Sequence, residues 1–261
     1  MKICVSALAF ALFIVACSSN SVNNTTDLEL SNLQGQVWKI DRTNHSSLAG
    51  CVCPAALENE CNQTLVIYNE AGNVAESYDI DADGDTINHS VYRYNKKGIC
   101  TGIDKFSGTR LTGRQIPKFE KGMLSQVKVI DENGNHHTTY IYKHTDAGLS
   151  EIVTLNSDDD PVSKTMNEYK DGLLVSQTET DKSGNIKSTT QFKRNSHNDI
   201  IESIISISKD SLDYKILFEY EYDEMGNWVK QTKFYNGDIE NVVLRNITYY
   251  ESDASLMTEK L

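Results

Sequence analysis

FEYEYDEMGNW, at residues 218–228, has the sequence of a β-strand followed by a tight turn. Ile216, Phe218, Tyr220 and Tyr222 fall on one face of this stretch and Lys215, Glu219 and Glu221 on the other, which is the period-two pattern of a half-buried strand. Gly226 can adopt a positive φ without a Cβ clash, so the chain can reverse there and begin a new strand at Trp228. The stretch therefore predicts an antiparallel β-hairpin with one aromatic face.

The turn at Gly226 recurs along the chain at nearly constant intervals. Equivalent turn residues, spaced by 26, 24, 26, 24, 26 and 28 residues, are Gly72, Gly98, Gly122, Gly148, Gly172, Asn198 and Gly226. An aromatic residue precedes each by three to six positions: Tyr68, Tyr94, Phe119, Tyr142, Tyr169, Phe192 and Tyr222. A second series of turns rich in Asp, Asn, Ser and Gly lies between them, which leaves room for strands of about 6 to 9 residues.

These intervals predict an all-β protein. A single hairpin cannot bury its aromatic face, so each unit must stack on the next. We therefore expect tandem antiparallel β-hairpin repeats over residues 63–255, with a period of about 26, that form an elongated twisted sheet or an open β-solenoid. Seven hairpin turns of the first series predict about seven units.

The pattern Tyr-x-Tyr-Asp-x-x-Gly-Asn at residues 220–227 resembles the YD (Rhs-type) repeat, and weaker copies lie at residues 92–98 and 140–142. The sequence at residues 30–40 is similar to the first strand of small Gram-negative lipoproteins with such repeats. The resemblance covers residues 63–255 and implies a short, degenerate YD-repeat outer-membrane lipoprotein, without the enclosed toxin of the large family members.

The N-terminus has the features of a lipoprotein signal. A Lys at position 2 is followed by an uncharged apolar run over residues 3–16, too short to span a bilayer, and then by Cys17. Residues 14–17, IVAC, resemble a lipobox. We therefore predict a signal peptide at 1–16, lipidation of Cys17, a flexible tether at 17–30, and an N-terminal strand with a cysteine-rich cap at 31–62. An ordinary signal peptide with an incidental cysteine is the alternative.

The lipid on Cys17 predicts an anchor in the outer membrane, on its periplasmic face, because no Asp follows the cysteine directly; surface display is the alternative. Removal of residues 1–16 leaves 24 basic and 37 acidic residues, a net charge of −13. Such a charge excludes nucleic acid and anionic lipid head groups as partners. It allows a basic protein partner, although a solvated acidic surface that keeps the protein soluble is the favoured explanation.

Four cysteines remain after removal of the signal peptide and lipidation of Cys17, and they are Cys51, Cys53, Cys61 and Cys100. An even number in an oxidising compartment favours disulfides. Cys51 and Cys53 are too close in sequence to pair with each other without strain, so Cys61 and Cys100 each pair with one of them. Zinc binding is the alternative, although the spacing does not match the usual ligand pairs.

Residues 79–85, DIDADGD, contain the first half of a calcium-loop pattern. Asp79, Asp81, Asp83 and Asp85 would be the ligands, because alternate carboxylates around a tight turn can converge on one hard cation. Position 12 of the pattern is Ser90 instead of a bidentate Glu. Turn chemistry alone is the alternative, and calcium is the one cofactor that the sequence suggests.

Other constellations point away from catalysis. His136, His137 and His144 could be placed on one hairpin, but adjacent strand residues face opposite sides, so surface histidines are the simpler interpretation. The sequence has no nucleophile-elbow motif, phosphate-binding loop or paired-carboxylate motif. We therefore expect a protein that is not an enzyme.

The sequence instead favours binding. We expect the repeat surface to contact a glycan or another envelope component through tyrosines such as Tyr92 and Tyr140, because repeat arrays offer long surfaces. The alternative is an immunity or scaffold lipoprotein that neutralises a basic protein. The triplets that begin at Asp85 and Asp210 resemble acceptors for O-glycosylation in some Gram-negative anaerobes, which would place glycans on Thr86 and Ser211.

Overall fold

The computed structural model describes residues 26–46, 63–208 and 212–250. These residues form one helical turn and sixteen strands: α1 Asp27–Leu30, β1 Val37–Ser46, β2 Gln63–Tyr68, β3 Val74–Ile80, β4 Thr86–Tyr94, β5 Cys100–Ser107, β6 Arg110–Glu120, β7 Met123–Asp131, β8 His136–Thr145, β9 Gly148–Leu155, β10 Pro161–Lys170, β11 Leu173–Asp181, β12 Ile186–Arg194, β13 Ile200–Ile207, β14 Leu212–Tyr222, β15 Trp228–Tyr235 and β16 Asp238–Tyr249. No helix within the described ranges is long and apolar enough to cross a membrane.

The sixteen strands form one closed antiparallel barrel. β1 pairs with β2 on one side and with β16 on the other, so that Ile40 lies between Val66 and Ile247. The prediction of an elongated twisted sheet or open solenoid is therefore wrong. The spacing of turns specifies pairing between strands that are adjacent in sequence, whereas closure requires β1 and β16, at opposite ends of the repeat array, to pair, and no local pattern encodes that contact.

One type of turn is repeated around the barrel. In eight described turns, the side-chain Oδ1 of an Asp or Asn accepts the backbone N–H groups two and four residues later, at 2.8–3.1 Å. The first residues of these turns are Asn69, Asp81, Asn95, Asp131, Asn156, Asp181, Asn195 and Asp223. This local hydrogen bonding explains why Asp and Asn recur at the strand ends.

The inner face of the barrel wall carries the buried apolar clusters, and the outer face carries most of the exposed charged residues. On β14, Ile216 is buried and Phe218 is half-buried, while Lys215 and Glu219 are exposed. Inward residues of β1–β3 form one core cluster with the N-terminal segment, and inward residues of β7 and β8 form another around Leu124, Val127 and Tyr142. Tyr68 and Tyr142, two of the aromatic residues before the first series of turns, lie on this inner face.

Residues 26–36, which we call the N-terminal cap, lie across one end of the barrel. Leu28 N donates to Gly72 O (3.0 Å), Asn32 Nδ2 donates to His197 O (2.6 Å), and Gln34 pairs with Asn227. These three partners belong to three different turns at the same end, which we call the capped end. Because Tyr250 N also donates to Gln36 O at 2.9 Å, both ends of the described chain lie at the capped end.

Part of the predicted tether is folded in this cap. Thr26 and Glu29 form a capping box, with Glu29 N donating to Thr26 Oγ1 at 3.3 Å and Thr26 N to Glu29 Oε2 at 2.7 Å. Asp27 is buried, and its Oδ2 accepts from Val74 N at 2.8 Å. The tether prediction therefore stands for residues 17–25, which lie outside the described residues.

Candidate functional site

The outer wall of the barrel carries cross-strand ion pairs. They join positions in the middle of strands as well as at their ends: Arg114–Asp104 (3.2 Å), Lys143–Glu151 (2.5 Å), Lys164–Glu151 (3.5 Å), Lys193–Glu202 (2.6 Å), Lys215–Glu202 (2.7 Å) and Lys230–Glu221 (2.7 Å). A barrel that crosses a bilayer turns an apolar band about 25 Å tall toward the lipid, and each charge placed there costs about 2–4 kcal/mol at the midplane. The ion-paired parts of this outer wall are therefore suited to water.

A groove of about 320 Å³ lies on the outer wall across β10 to β13. We call it the outer groove, and its lining consists of Glu168, Val175, Ser176, Gln191, Phe192, Lys193, Glu202 and Ile204. Ser176 pairs with both Glu168 and Gln191, and Gln191 pairs with Ile204, so one row of register partners crosses the groove. Hydroxyl, amide and carboxylate groups thus lie beside aliphatic carbon.

The charged end of the outer groove is fixed by ion pairs. Glu202 is buried beneath Lys193 and Lys215, which lie 2.6 and 2.7 Å from its two carboxylate oxygens. The hydrogen bond from Lys193, followed by that from Lys215, lowers the pKa of Glu202. The carboxylate therefore stays ionised at neutral pH, and the two lysines that hold it keep their other N–H groups for a ligand.

A second cavity, of about 270 Å³, lies at the capped end. It is lined by the N-terminal cap, by the turn at residues 69–72 and by Tyr250. Its two carboxylates, Glu29 and Glu70, make it acidic. Glu29 already accepts a hydrogen bond from Thr26 in the capping box. The cavity is therefore a gap between the N-terminal cap and the barrel, and Glu70 is the carboxylate in it that the capping box does not use.

Tyr92 and Tyr140, the tyrosines that we predicted to bind a ligand, face the barrel interior. Tyr92 packs against the core clusters of the capped end and of β5, and burial raises its pKa to about 12. Tyr140 packs against the cluster around Leu124 and Val127. A binding surface on the outer wall therefore has to use other residues.

The predicted calcium ligands do not converge. Asp81 Oδ1 accepts the backbone N–H groups of Asp83 and Asp85, as the first residues of the other turns do. Asp79 Oδ2 accepts from Asn88 Nδ2 on the neighbouring strand, at 3.3 Å. Within the described ranges, no three His, Cys, Asp or Glu side chains are placed to hold a metal ion. Turn chemistry accounts for this Asp-rich stretch.

The histidines are used in local hydrogen bonds. His136 lies 2.9 Å from Ser157 O through Nδ1 and 2.8 Å from Thr139 Oγ1 through Nε2. His144 Nε2 lies 2.7 Å from Leu124 O, and His137 Nδ1 lies 2.8 Å from the hydroxyl of Thr138. Each of the three therefore has its own structural partner instead of a shared site.

Several predicted residues lie outside the described part of the chain. They are Cys17, Cys51, Cys53, Cys61 and Ser211, so lipidation, the disulfide pairing and one glycosylation acceptor stay predictions. Cys100 is buried at the start of β5 against Ile103. Thr86 is exposed at the start of β4, at the end of the barrel opposite the cap.

The outer groove was missed in the sequence. Its floor depends on small or unbranched polar residues at register positions of four strands, and single-strand alternation marks Ser176 and Gln191 only as polar and outward.

An outward row of aromatic rings was also missed, because it too depends on the register of several strands. Tyr78 stacks on His89 with centroids 4.2 Å apart, and His89 stacks on Phe106 at 5.5 Å. Only the register of β3, β4 and β5 brings these rings together.

Comparison with solved structures finds the same fold at low sequence identity. A porin-like protein from Bacteroides uniformis ATCC 8492 has a TM-score of 0.54 at 13% identity, covering 82% of this chain and 98% of that one. A porin-like protein from Bacteroides vulgatus ATCC 8482 has a TM-score of 0.50 at 11% identity, covering 83% and 100%. A TcdB2-TccC3 toxin structure shares 12% identity over 78% of this chain and 11% of its own, with a TM-score of 0.32.

No protein-family model and no curated protein matches the sequence. The comparisons therefore show the β-barrel architecture alone.

Proposed function

We propose that the chain is a non-catalytic binding lipoprotein of the outer membrane, whose barrel stands in water beside the bilayer and whose outer groove recognises a glycan. The observation that carries the proposal is the outer groove itself, a polar and apolar surface of about 320 Å³ in a wall that also carries cross-strand ion pairs. The likeness of residues 220–227 to the YD repeat supports a relation to repeat-containing lipoproteins.

The anchor follows from the lipobox and from the polarity of the wall. A lipid on Cys17 would hold the chain, and the eight residues between Cys17 and Thr26 can span at most about 30 Å when fully extended. The capped end then stays close to the lipid surface. The opposite end, which carries the second series of turns, faces away from the membrane, and we place the anchor on the periplasmic leaflet.

The chemistry of the outer groove suits a sugar. Sugar rings present hydroxyl groups at their edges and C–H groups on their faces, so a site for them needs both hydrogen-bonding and apolar groups. Glu168 and Gln191 provide acceptors and donors, and Val175 and Ile204 provide aliphatic carbon. A glycan held in this way needs no titrating or nucleophilic group, which agrees with a protein that does not catalyse a reaction.

The anchor is tested by cell fractionation of Cys17→Ser. We expect the variant in the soluble periplasmic fraction, because the barrel wall has no need of lipid. A variant that still sediments with the outer membrane and resists alkaline extraction would contradict the proposal and favour a membrane-spanning barrel. Protease added to intact cells that express the lipidated protein decides between the periplasmic face and surface display.

The ligand is tested with a glycan array on Cys17→Ser protein. For any glycan bound, we expect Gln191→Ala and Glu168→Ala to lower the affinity at least tenfold, because both remove groove hydrogen bonds. Glu219→Ala, an exposed carboxylate on β14, is the matched control and should leave binding unchanged. Binding that survives both groove substitutions would contradict the groove assignment.

A basic protein partner is the second candidate, favoured by the acidic turns opposite the cap. Asp83, Asp85, Glu132 and residues 158–160 are exposed there, with partly exposed Asp81 and Asp131 beside them. The affinity for such a partner should fall steeply as the salt concentration is raised from about 0.05 to 0.5 M. A glycan held in the groove should bind almost equally across that range. Pull-down from envelope extract at both salt concentrations separates the two.

A further inference from the structure

Two arginines on the inner face of the barrel lie near the capped end without a salt bridge in the described part of the chain. Arg194 ends β12, and its Nη1 donates to Asn198 O at 2.7 Å. Arg245 belongs to β16 and is the register partner of Arg42 on β1. Two guanidinium groups on directly opposed residues repel each other, so Arg245 lies in an unfavourable field.

The guanidinium of Arg245 is stacked on an aromatic ring. Its Cζ lies 3.2 Å from the ring centroid of Trp228. Stacking fixes the plane of the guanidinium and leaves its N–H groups pointing outward from the edge of that plane. This arrangement holds the N–H fork in one orientation without using its hydrogen-bonding capacity.

Hydrogen-bonding capacity is left over at both arginines. Their Nε atoms are buried, and no acceptor within the described ranges takes a hydrogen bond from either. Burial, together with the nearby Arg42, lowers the pKa of Arg245 to about 9. A buried cation is unfavourable unless it is paired, so a negative group at this position would be favoured.

The carboxylate whose field reaches both arginines is Asp199. It raises the pKa of Arg194 and of Arg245, in opposition to burial. Its Oδ2 accepts a hydrogen bond from the hydroxyl of Tyr222 at 2.8 Å, so part of its capacity is already used. One carboxylate shared between two cations leaves an excess positive charge inside a protein whose net charge is −12.

The remaining neighbours of the site are polar and sheltered. The Tyr220 hydroxyl donates to Ile200 O at 2.8 Å and accepts from Gln231 Nε2 at 3.0 Å. The N-terminal cap approaches from outside, where Asn32 binds His197 O, and the ring of His197 stacks on Tyr222 with centroids 4.1 Å apart. The site therefore lies under the cap, away from the outer groove.

We propose that this arginine site, formed by Arg194, Arg245, Trp228 and Tyr220, binds an oxyanion, either free phosphate or the acidic group of a sugar acid. Guanidinium forks match the two oxygens of a phosphate or carboxylate, and such hydrogen bonds are among the strongest in proteins. The site is independent of glycan binding at the outer groove, so failure of one proposal leaves the other standing.

The test is a fluorescence titration of Trp228. Trp38→Phe removes the other tryptophan, and inorganic phosphate or glucuronate is added at constant ionic strength set with sodium chloride. We expect a saturable change in emission, since an anion bound to Arg245 alters the electric field at the Trp228 ring. Isothermal titration calorimetry with the same two anions gives the affinities independently.

Three variants decide the outcome. Arg245→Gln and Arg194→Gln should each lower the affinity for the anion at least tenfold. Asp199→Asn should raise that affinity severalfold, because it removes the competing carboxylate. Lys128→Gln, an exposed outward lysine on β7, is the matched control and should change nothing.

No saturable response to either anion, or equal affinity in wild type and Arg194→Gln, overturns the proposal. If circular dichroism shows that Arg245→Gln does not fold, the other two variants still test the proposal, because Arg194→Gln should lower the affinity for the anion and Asp199→Asn should raise it. Tighter binding of glucuronate than of phosphate identifies a sugar acid as the ligand, and the reverse order identifies a free oxyanion.

Discussion

The side chain of Asn227 shows how much one residue can contribute to the capped end. Its Nδ2 donates to Gln34 O at 2.8 Å and its Oδ1 accepts from Gln34 N at 2.7 Å, so the carboxamide pairs with the cap as a neighbouring strand would. The same Nδ2 also donates to the hydroxyl of Tyr249 at 2.7 Å. Because Asn227 is only 1% exposed, water cannot replace these hydrogen bonds.

We expect Asn227→Ala to lower the free energy of unfolding by about 1–3 kcal/mol, because it leaves buried or half-buried polar groups unpaired. Urea denaturation followed by circular dichroism measures the change. Asn246→Ala, an exposed asparagine on β16, is the control and should stay within about 0.5 kcal/mol of wild type. Equal destabilisation by the two substitutions would show that the link to the cap is energetically unimportant.

The turn carboxylates predict a dependence on pH. Hydrogen bonds from the Asn185 side chain, and then from its backbone, lower the pKa of Asp181. Since the folded pKa lies below the unfolded value of about 3.9, this stabilisation is complete above about pH 4 and is lost as pH falls through the folded pKa.

The stability difference between wild type and Asp181→Asn should therefore shrink as pH is lowered from about 5 to about 2. Asp171→Asn, which removes a charge outside these eight turns, controls for net charge. Carbon-13 NMR of the Asp181 carboxyl gives the pKa directly, and a value at or above about 3.9 would contradict the hydrogen-bonding account.

At the scale of the element, hairpins were the part of the fold that sequence could predict. Turn residues and strand alternation act over about ten residues, and the hydrogen bonds around Asp223 and Gly226 lie within the stretch that revealed the repeat. The candidate site could not be predicted in this way. The outer groove needs Ser176, Gln191 and Ile204 on three strands in one register, and the direction of Tyr92 and Tyr140 depends on which face of the sheet became the inside.

The glycines of the two turn series differ in surroundings, which gives a test at this scale. A Cβ at Gly148, where φ is +131°, would lie 3.2 Å from the ring of Tyr169, whereas a Cβ at Gly184, where φ is +83°, would meet open space. Gly184→Ala should cost about 1–2 kcal/mol from backbone strain alone, and Gly148→Ala should cost more.

Thermal unfolding of the two alanine variants measures the difference. The extra cost of Gly148→Ala should fall in a Tyr169→Leu background, because the smaller side chain can give way. An extra cost that is the same in both backgrounds would assign it to the backbone and not to the ring.

At the scale of the whole molecule, the main feature is the closure of the sixteen-stranded sheet into a barrel. A flat array of sixteen strands at a spacing of about 4.8 Å would be about 77 Å wide, whereas a compact chain of this length has a radius of gyration of about 18 Å. Small-angle X-ray scattering of the Cys17→Ser protein should give a maximum dimension of the folded part well below that width. A profile typical of an extended rod would contradict the barrel.

Hydrogen exchange tests the closing contact itself. The backbone of residues 39–43 pairs on both sides, with β16 and with β2, so its amides should be protected as strongly as those of β8 or β12. In an open sheet, β1 or β16 would be an edge strand, and alternate amides would exchange rapidly. Closure of the barrel could not be predicted, because the pattern of apolar residues in β1 would be the same whether or not β16 pairs with it.

The pairing of β1 with β16 also dictates an order of events during biosynthesis. Val37 meets Tyr249, so the contact joins residues that are synthesised at nearly opposite ends of the chain, while every other strand pairs with its predecessor. Local hairpins can form as soon as their residues are available, but the first strand has to wait for the last, and loop closure over such a distance is slow. Refolding should therefore show rapid formation of strand structure followed by a slow phase that is sensitive to substitutions in β1 and β16 and insensitive to substitutions in the strands between them.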